Sequence, residues 1–451
     1  MASVSQIRSA LLDREEELQR DLREGGLIER ELGREWKGPV RGVASLITGP
    51  RRSGKSVFAF QAGRALGTSV YVNFEDERLD LRSDELNLVM EAADSLKGEI
   101  RAFILDEIQN VSGWERFVAR LSSAYPTVIT GSNARLMSRE MATFMTGRHV
   151  DSELFPFSFR EYLRYRGARL EGRTVDSTRD RAQTISFLEE YLGIGGFPLA
   201  HKLGRTYLVE LYRDVIERDI LARHHIRYSS KMREVARYLM SNPAKEVSYH
   251  RLGESFEVHG FHTIANWVRY LEASYLVFEL NRFSFKLREQ GKAPRKIYAI
   301  DTGMLRAMGL SSSPDRGPLM ENLVAVELLR RRSYWCPGLE VYYWKDHAQR
   351  EVDFVLKLGP EVRQLIQVTR ASQKVDIAPR ELDSLIHASE ALRCKDLLVI
   401  TWDYDGMLVR SGRKIAFRSL LRWLLDVQSL PGNREPPSPL SRKLGAPNAV
   451  G

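Results

Sequence analysis

The run Gly49-Pro50-Arg51-Arg52-Ser53-Gly54-Lys55-Ser56 holds the residue types that bind phosphate. Its spacing meets G-x-x-x-x-G-K-[ST] in full, and the glycines let backbone N–H groups wrap a phosphate chain. Lys55 would bring an ammonium to the β- and γ-phosphates, and Ser56 would offer its hydroxyl to Mg²⁺. Val57 continues into a segment of helical character, whose N-terminal dipole favours the same anion.

A second group lies at Phe103-Ile104-Leu105-Asp106-Glu107. An apolar strand ending in two acids carries carboxylates to the edge of a sheet where such ligands bind. Asp106 would support Mg²⁺ through water, and Glu107 is placed to polarise an attacking water, which favours hydrolysis over nucleotide binding alone. The run Thr127–Thr130 ends in Gly131-Ser132-Asn133, where Asn133 could bond the γ-phosphate or the water; a turn and helix cap is the other reading. Arg148, before Val150–Leu154, is either a finger arginine for a neighbouring subunit or a surface arginine.

Positioning these groups requires a parallel sheet. Val43–Ile47, Val70–Phe74, Ala102–Leu105 and Thr127–Thr130 are strand-length apolar runs separated by helix-length segments, which predicts α/β architecture of the P-loop NTPase kind. We divide the chain into a charged amphipathic helix over 1–40, a nucleotide core over 41–155, and a helical lid over 156–228. A winged helix over 229–310, a smaller α/β domain over 319–428 and a disordered tail over 429–451 follow. The Ser-, Pro- and Gly-rich stretch 311–318 is the linker. Leu11, Leu12, Leu18 and Leu22 fall at helical spacing, for packing on a neighbour or a partner.

Residues 248–256 and 262–273 have helix-turn-helix spacing around Gly260. Ile264, Val268, Leu271 and Tyr275 form an inward stripe; His262, Thr263, Asn266, Arg269 and Tyr270 fall on the other side, where a recognition helix would meet DNA. Arg282, Lys286, Arg288, Lys292, Arg295 and Lys296 would form a basic wing giving salt-sensitive phosphate contacts. A lid or a protein contact is the alternative.

Glu321 on a helix, Asp353 on a strand and Gln367 on the next resemble, in that order, the restriction-endonuclease-like fold, which implies a Mg²⁺ site for phosphodiester hydrolysis. Gln367 offers only a neutral oxygen, and Thr369 stands where that pattern has lysine. Lys357 or Lys374 could substitute, without a positional reason. The expectation is therefore a nuclease-like domain that has lost its chemistry, with Arg330, Arg331, Arg332 and Arg350 able to track a phosphate backbone.

The loop at Gly49, the run Leu105-Asp106-Glu107-Ile108-Gln109, the segment Thr130–Asn133 and the stretch Leu154–Tyr162 resemble the predicted prokaryotic AAA+ ATPases with a C-terminal domain of uncharacterised function. The turn Gly195–Pro198, the segment Tyr212–Ile220 and the run Glu351–Val355 share the resemblance, which covers most of residues 40–410. It implies an ATPase using ATP and Mg²⁺.

With 43% hydrophobic and 28% charged residues among 451, disorder of the whole chain is excluded. The 68 Lys and Arg against 59 Asp and Glu leave +9, which suits an anionic partner such as DNA. Cys336 and Cys394 are too few for a disulfide framework or a zinc site. No run approaches the ~20 apolar residues of a membrane span, and the charged start reads as no signal peptide. These features point to a cytoplasmic protein without a membrane partner. Homo-oligomer formation stays open, because a trans-acting Arg148 needs a second subunit. The reading favoured is a Mg²⁺-dependent ATPase that moves a DNA-associated arm. The alternatives are a signalling switch that binds a protein, and an ATP-gated nuclease.

Overall fold

The computed structural model describes residues 3–25, 28–132, 147–168, 178–258, 260–309 and 316–426. Asn133, most of the 311–318 linker and the 429–451 tail lie outside them. The chain divides between Pro156 and Phe157 into two compact units.

The first unit is built on a parallel sheet. Its strands are β1 (Ala44–Thr48), β2 (Ser69–Asn73), β3 (Ala102–Asp106), β4 (Thr127–Gly131) and β5 (His149–Glu153), in the order β2-β3-β4-β1-β5. Every residue of β1, β3 and β4 is buried, as continuous apolar strands covered on both faces must be. Helices α3 (Lys55–Ala65), α4 (Asn87–Leu96) and α5 (Glu115–Ala124) supply the covering. Gly63 lets α3 lie close on the sheet, since a Cβ there would come within 2.4 Å of Ile104. The order of strands matters most: β4 stands between the strand before the phosphate loop and the strand carrying the two acids.

The N-terminal helix α1 (Val4–Gly25) packs against α4 and β2, burying Ile7, Ala10 and Leu11 in the core of this unit. Its apolar stripe therefore serves an internal surface. A short helix, α2 (Glu31–Glu35), precedes the sheet.

The second unit opens with α6 (Phe159–Tyr165), α7 (Thr178–Ile194) and α8 (Ala200–Asp214), the last running on as a π-helix over Val215–Ala222. The turn at Gly195 and Gly196 closes on Asp301, whose carboxylate accepts from the Gly196 amide at 2.6 Å and the Met304 amide at 3.0 Å. A Cβ on Gly195 would lie 2.1 Å from that carboxylate.

Next come α9 (Ser229–Ser241), β6 (Glu246–Val247), α10 (Tyr249–Ser255), α11 (Phe261–Ala273), β7 (Val277–Leu280), α12 (Leu287–Lys292) and β8 (Arg295–Ala299). The three strands form an antiparallel sheet in the order β6-β8-β7. Ile264, Val268 and Leu271 of α11 are fully buried, as their spacing predicts.

After α13 (Thr302–Met308) and the long α14 (Arg316–Tyr334), a six-stranded mixed sheet forms from β9 (Leu339–Lys345), β10 (Glu351–Leu358), β11 (Glu361–Val368), β12 (Leu397–Thr401), β13 (Gly406–Arg410) and β14 (Arg413–Ser419). Its order is β13-β14-β12-β11-β10-β9. Strands β9, β10 and β11 are antiparallel, and β12 joins β11 in parallel after α15 (Pro379–Ala391). The hairpin β13–β14 was not anticipated, although Ser411 and Gly412, both at positive φ, are a two-residue turn of the hairpin type. Helix α16 (Leu420–Leu425) ends the described chain.

Candidate active site and a second charged centre

The phosphate loop connects β1 to α3. Gly49 has φ 147°, and a Cβ there would stand 2.2 Å from the Leu154 carbonyl oxygen, so only glycine fits. Gly54, at φ 97°, precedes the first residue of α3. Lys55 is buried, its ammonium donating to the carbonyls of Gly49 at 3.1 Å and Pro50 at 2.9 Å. Burial lowers its affinity for the proton, while Glu107 and Asp106 act the other way. Arg51 pairs with Glu75 at 3.0 Å and Arg52 is exposed. The Ser53 hydroxyl is buried in the loop and has no partner among the described residues, an orphan that an entering ligand oxygen would satisfy. Val57 sits exposed on the first turn of α3.

Asp106 and Glu107 end β3 beside this loop. Asp106 is buried and accepts from the hydroxyls of Thr130 and Tyr71. Burial pushes its carboxyl up, helped by the neighbouring Glu107, while bonds from Thr130, Tyr71 and Ser56 hold it down. Tyr71 itself is pushed well above a phenol's usual range by burial and by Asp106. Glu107 takes a left-handed backbone, φ 55° and ψ 39°, a strained state for a non-glycine residue at the strand end. Its carboxylate accepts from Gln109 and, at 3.4 Å, from Ser132. One of its oxygens lies 4.0 Å from the Lys55 ammonium.

Ser56 and Asp106 thus bring a hydroxyl and a carboxylate together, the oxygen donor set Mg²⁺ prefers. Arg148 is exposed, and its backbone carbonyl accepts from the Ala44 amide at 2.9 Å.

Sequence reasoning missed three members of this site. Thr130 and Tyr71 are polar residues on buried strands, which is the signal that calls for a partner. Arg30 gave none. It is buried before α2, donating to the Ser53 carbonyl at 2.9 Å and the Phe155 carbonyl at 2.5 Å. One guanidinium so ties the phosphate loop to the end of β5.

The second charged centre lies in the second unit. Glu321 on α14, Asp353 on β10 and Gln367 on β11 do converge, and a register shift between Val352 and Val355 accompanies the turn of Asp353 inward. Gln367 donates to Asp353 Oδ2 at 2.8 Å, as does the Val368 amide at 2.9 Å. The other carboxylate oxygen faces Lys296, from β8, at 3.3 Å. Burial and Glu321 push the Asp353 carboxyl up, while Lys296 opposes them.

Lys296 therefore does not belong to a basic wing. It is 2% exposed and inside this cluster. Alternation along β8 puts Lys296 and Tyr298 on one face, and a lysine in an apolar strand was the signal to read. Of the proposed substitutes, Lys357 pairs instead with Glu340, and Lys374 lies in a short turn with no buried residue. Arg330 and Arg331 are likewise unavailable to a phosphate backbone. Both are buried with Arg160 around Glu327.

Among the remaining expected DNA contacts, His262 and Arg269 are exposed, and Thr263 and Asn266 are half-buried on α11, where Arg269 donates to Asn266. Tyr270 stacks on His224 with ring centres 3.7 Å apart. Arg282 lies where the chain docks on the edge of β9, through Phe283 N–H to Tyr343 O at 2.7 Å. Lys286 is exposed and pairs with Glu289 at 3.1 Å. Phe285 and Leu287 are exposed beside it. No helix among the described residues is long and apolar enough to cross a membrane.

A family model described as an AAA domain matches residues 42–163. Two domains of unknown function, DUF8612 and DUF4143, match 185–315 and 316–412. An uncharacterized protein of Methanocaldococcus jannaschii is 33% identical over 378 residues, covering 80% of this chain and 82% of the relative. An uncharacterized protein of Haemophilus influenzae is 27% identical over 401 residues, covering 84% and 94%. Among solved structures, a Walker-type ATPase of Pyrococcus abyssi is similar with a TM-score of 0.39 and 13% identity, over 65% of this chain and 95% of that one.

Proposed function

Because the chain belongs to the family of its Methanocaldococcus jannaschii relative and matches an AAA domain over residues 42–163, we propose that it hydrolyses ATP with Mg²⁺ and uses the cycle to reposition a DNA-associated arm. The observation that carries hydrolysis is Glu107, buried at the end of β3 with an oxygen 4.0 Å from the Lys55 ammonium. A carboxylate facing the phosphate-binding lysine is where a base for the attacking water belongs.

In this reading Gly49 to Val57 cradle the phosphates, with the loop amides and the Lys55 ammonium opposing their charge. Ser56 and Asp106 would hold Mg²⁺, which when bound neutralises charge on the β- and γ-phosphates. Glu107 takes a proton from the attacking water. Thr130 keeps Asp106 and Glu107 in register, and Asn133 is the side chain for the γ-phosphate or the attacking water. Arg148, exposed, is available to a second copy of the chain.

Residues 41–155 form the ATPase core in this proposal, with 156–228 as lid. The order helix, strand, helix, helix, strand, short helix, strand from Ser229 to Ala299 supports a winged helix within 229–310, and the convergence of Glu321, Asp353 and Gln367 supports a nuclease-like domain over 319–428. His262, Thr263, Asn266, Arg269 and Lys286 are its DNA-facing side chains, with Arg282 at the base of the wing. The net charge of +9 agrees with such a partner. A cytoplasmic location follows from the partner and the cysteine usage.

The test is ATP turnover with and without single-stranded, duplex and branched DNA at two salt concentrations. Stimulation by one DNA form, weakening as salt rises, supports the DNA-coupled reading. Turnover indifferent to every DNA moves the assignment to a protein-binding switch, for which the exposed Phe285 and Leu287 would provide the surface.

A further inference from the structure

The nuclease-like order of Glu321, Asp353 and Gln367 implies a divalent metal, and the residues present do not fit one. The Lys296 ammonium stands among the acids, 2.8 Å from Glu321, 2.6 Å from Glu351 and 3.3 Å from Asp353. An ammonium has three N–H donors, and three carboxylates take them.

The second oxygen of Asp353 already accepts from Gln367 and the Val368 amide, and Glu321 also accepts from the Tyr298 hydroxyl at 2.7 Å. Among the described residues no three His, Cys, Asp or Glu side chains are set to hold a metal ion. Mg²⁺ requires oxygens at about 2.1 Å in near-octahedral array. A buried ammonium bonded to the same three acids excludes it by volume and by charge. Lys345, 3.3 Å from Glu351, adds a second positive group at the rim.

We propose that Lys296 is the built-in counter-ion of this centre, standing where a divalent cation would act, so that the C-terminal domain takes up no metal and cuts no phosphodiester. The lysine comes from β8, while the acids come from α14 and β10. One ammonium thereby replaces a diffusible ion with a cross-link between the middle sheet and the C-terminal sheet. The acids are too many for one lysine: three carboxyls share Lys296, and only Glu351 has Lys345 besides. That surplus of carboxyl groups is the mark of a latent cation site, exposed once the ammonium is withdrawn. The inference is independent of the ATPase reading, and its test uses no nucleotide.

The experiment is Mn²⁺ uptake by the full chain, followed by loss of the free-ion electron paramagnetic resonance signal, with thermal melting alongside. Wild type is expected to bind no Mn²⁺ that depends on Asp353. Lys296→Met should gain one site per chain and melt higher when Mn²⁺ is added, and the double variant Lys296→Met with Asp353→Asn should lose both effects. Folded Lys296→Met that gains no Mn²⁺ overturns the proposal. So does wild-type uptake that Asp353→Asn abolishes, since lysine and metal would then share the centre. Asp353→Asn retains Lys296, so its comparison with wild type decides the matter even if Lys296→Met does not fold. Uptake that is the same in those two proteins supports the proposal.

Discussion

Thr130 bonds both acids of the candidate active site: its hydroxyl donates to Asp106 Oδ1, and the same oxygen accepts from the Glu107 backbone amide at 3.2 Å. The relationship is a product of strand order. Because β4 lies between β1 and β3, a threonine on it is beside the acids and one strand away from the phosphate loop.

Thr130→Val keeps the shape and removes the hydroxyl. Asp106 then loses one of its restraints and the Glu107 amide its acceptor. ATP turnover should fall on the order of 10-fold to 10²-fold, as for loss of a positioned polar group, with nucleotide affinity within about threefold of wild type. Thr130→Ser should recover most of the rate. Steady-state turnover with fluorescent-nucleotide binding separates the two effects.

Lys55→Ala and Glu107→Gln divide binding from chemistry. Lys55→Ala should abolish nucleotide binding in a calorimetric titration. Glu107→Gln should bind ATP normally and lose about 10²-fold or more in turnover, the scale of a general base. Equal turnover in wild type and Glu107→Gln would sink the assignment of Glu107.

Arg30→Ala should act through the loop it braces. Two buried carbonyls, those of Ser53 and Phe155, lose their donor, at a cost of about 1–3 kcal/mol for unsatisfied polar groups. Thermal melting should show the loss, and nucleotide affinity should drop with it. Arg30→Lys, reaching one carbonyl at most, should lie between.

Glu327 makes the stability of the second unit acid-sensitive. Burial alone would raise its carboxyl, but Arg160, Arg330 and Arg331 outweigh that and hold it at about 2, against 4.5 for an ordinary glutamate. An acid depressed on folding contributes stability fully above its unfolded value and loses it as pH falls towards the folded one. Glu327→Gln should therefore cost about 3–5 kcal/mol at neutral pH, the scale for breaking a buried ion pair. The gap from wild type should close between pH 4.5 and 2. Melting curves across that range check it; a gap constant with pH would refute the assignment.

The sheet of the first unit was legible because its strands are short buried runs with no polar alternation, and the loop motif fixes strand, turn and helix within a few residues. The second centre was readable only in outline. Glu321 and Asp353 stand out as acids in apolar elements, but Lys296 reaches them across 25 and 57 positions of chain, a pairing that local pattern does not carry. Arg330 and Arg331 misled for the same reason. Their charge predicts a solvated face, and only the fold reveals Glu327 and Arg160 around them. The basic wing lost Lys296 to the buried acids for the same reason, while Arg282 stands at its base, where the chain docks on β9.

The shared ammonium also sets where this chain can be cut. The boundary between the two matched domains of unknown function falls at residue 315, yet Lys296 lies on one side and Glu321, Glu351 and Asp353 on the other. A fragment starting at 316 would inherit three clustered acids with only Lys345, beside Glu351, for a cation, and one ending at 315 would inherit a lysine in an apolar strand without the three acids that surround it. Each piece would bury charge that its partner balances in the intact chain, so a cut at this boundary should destabilise both although they are recognised as separate modules.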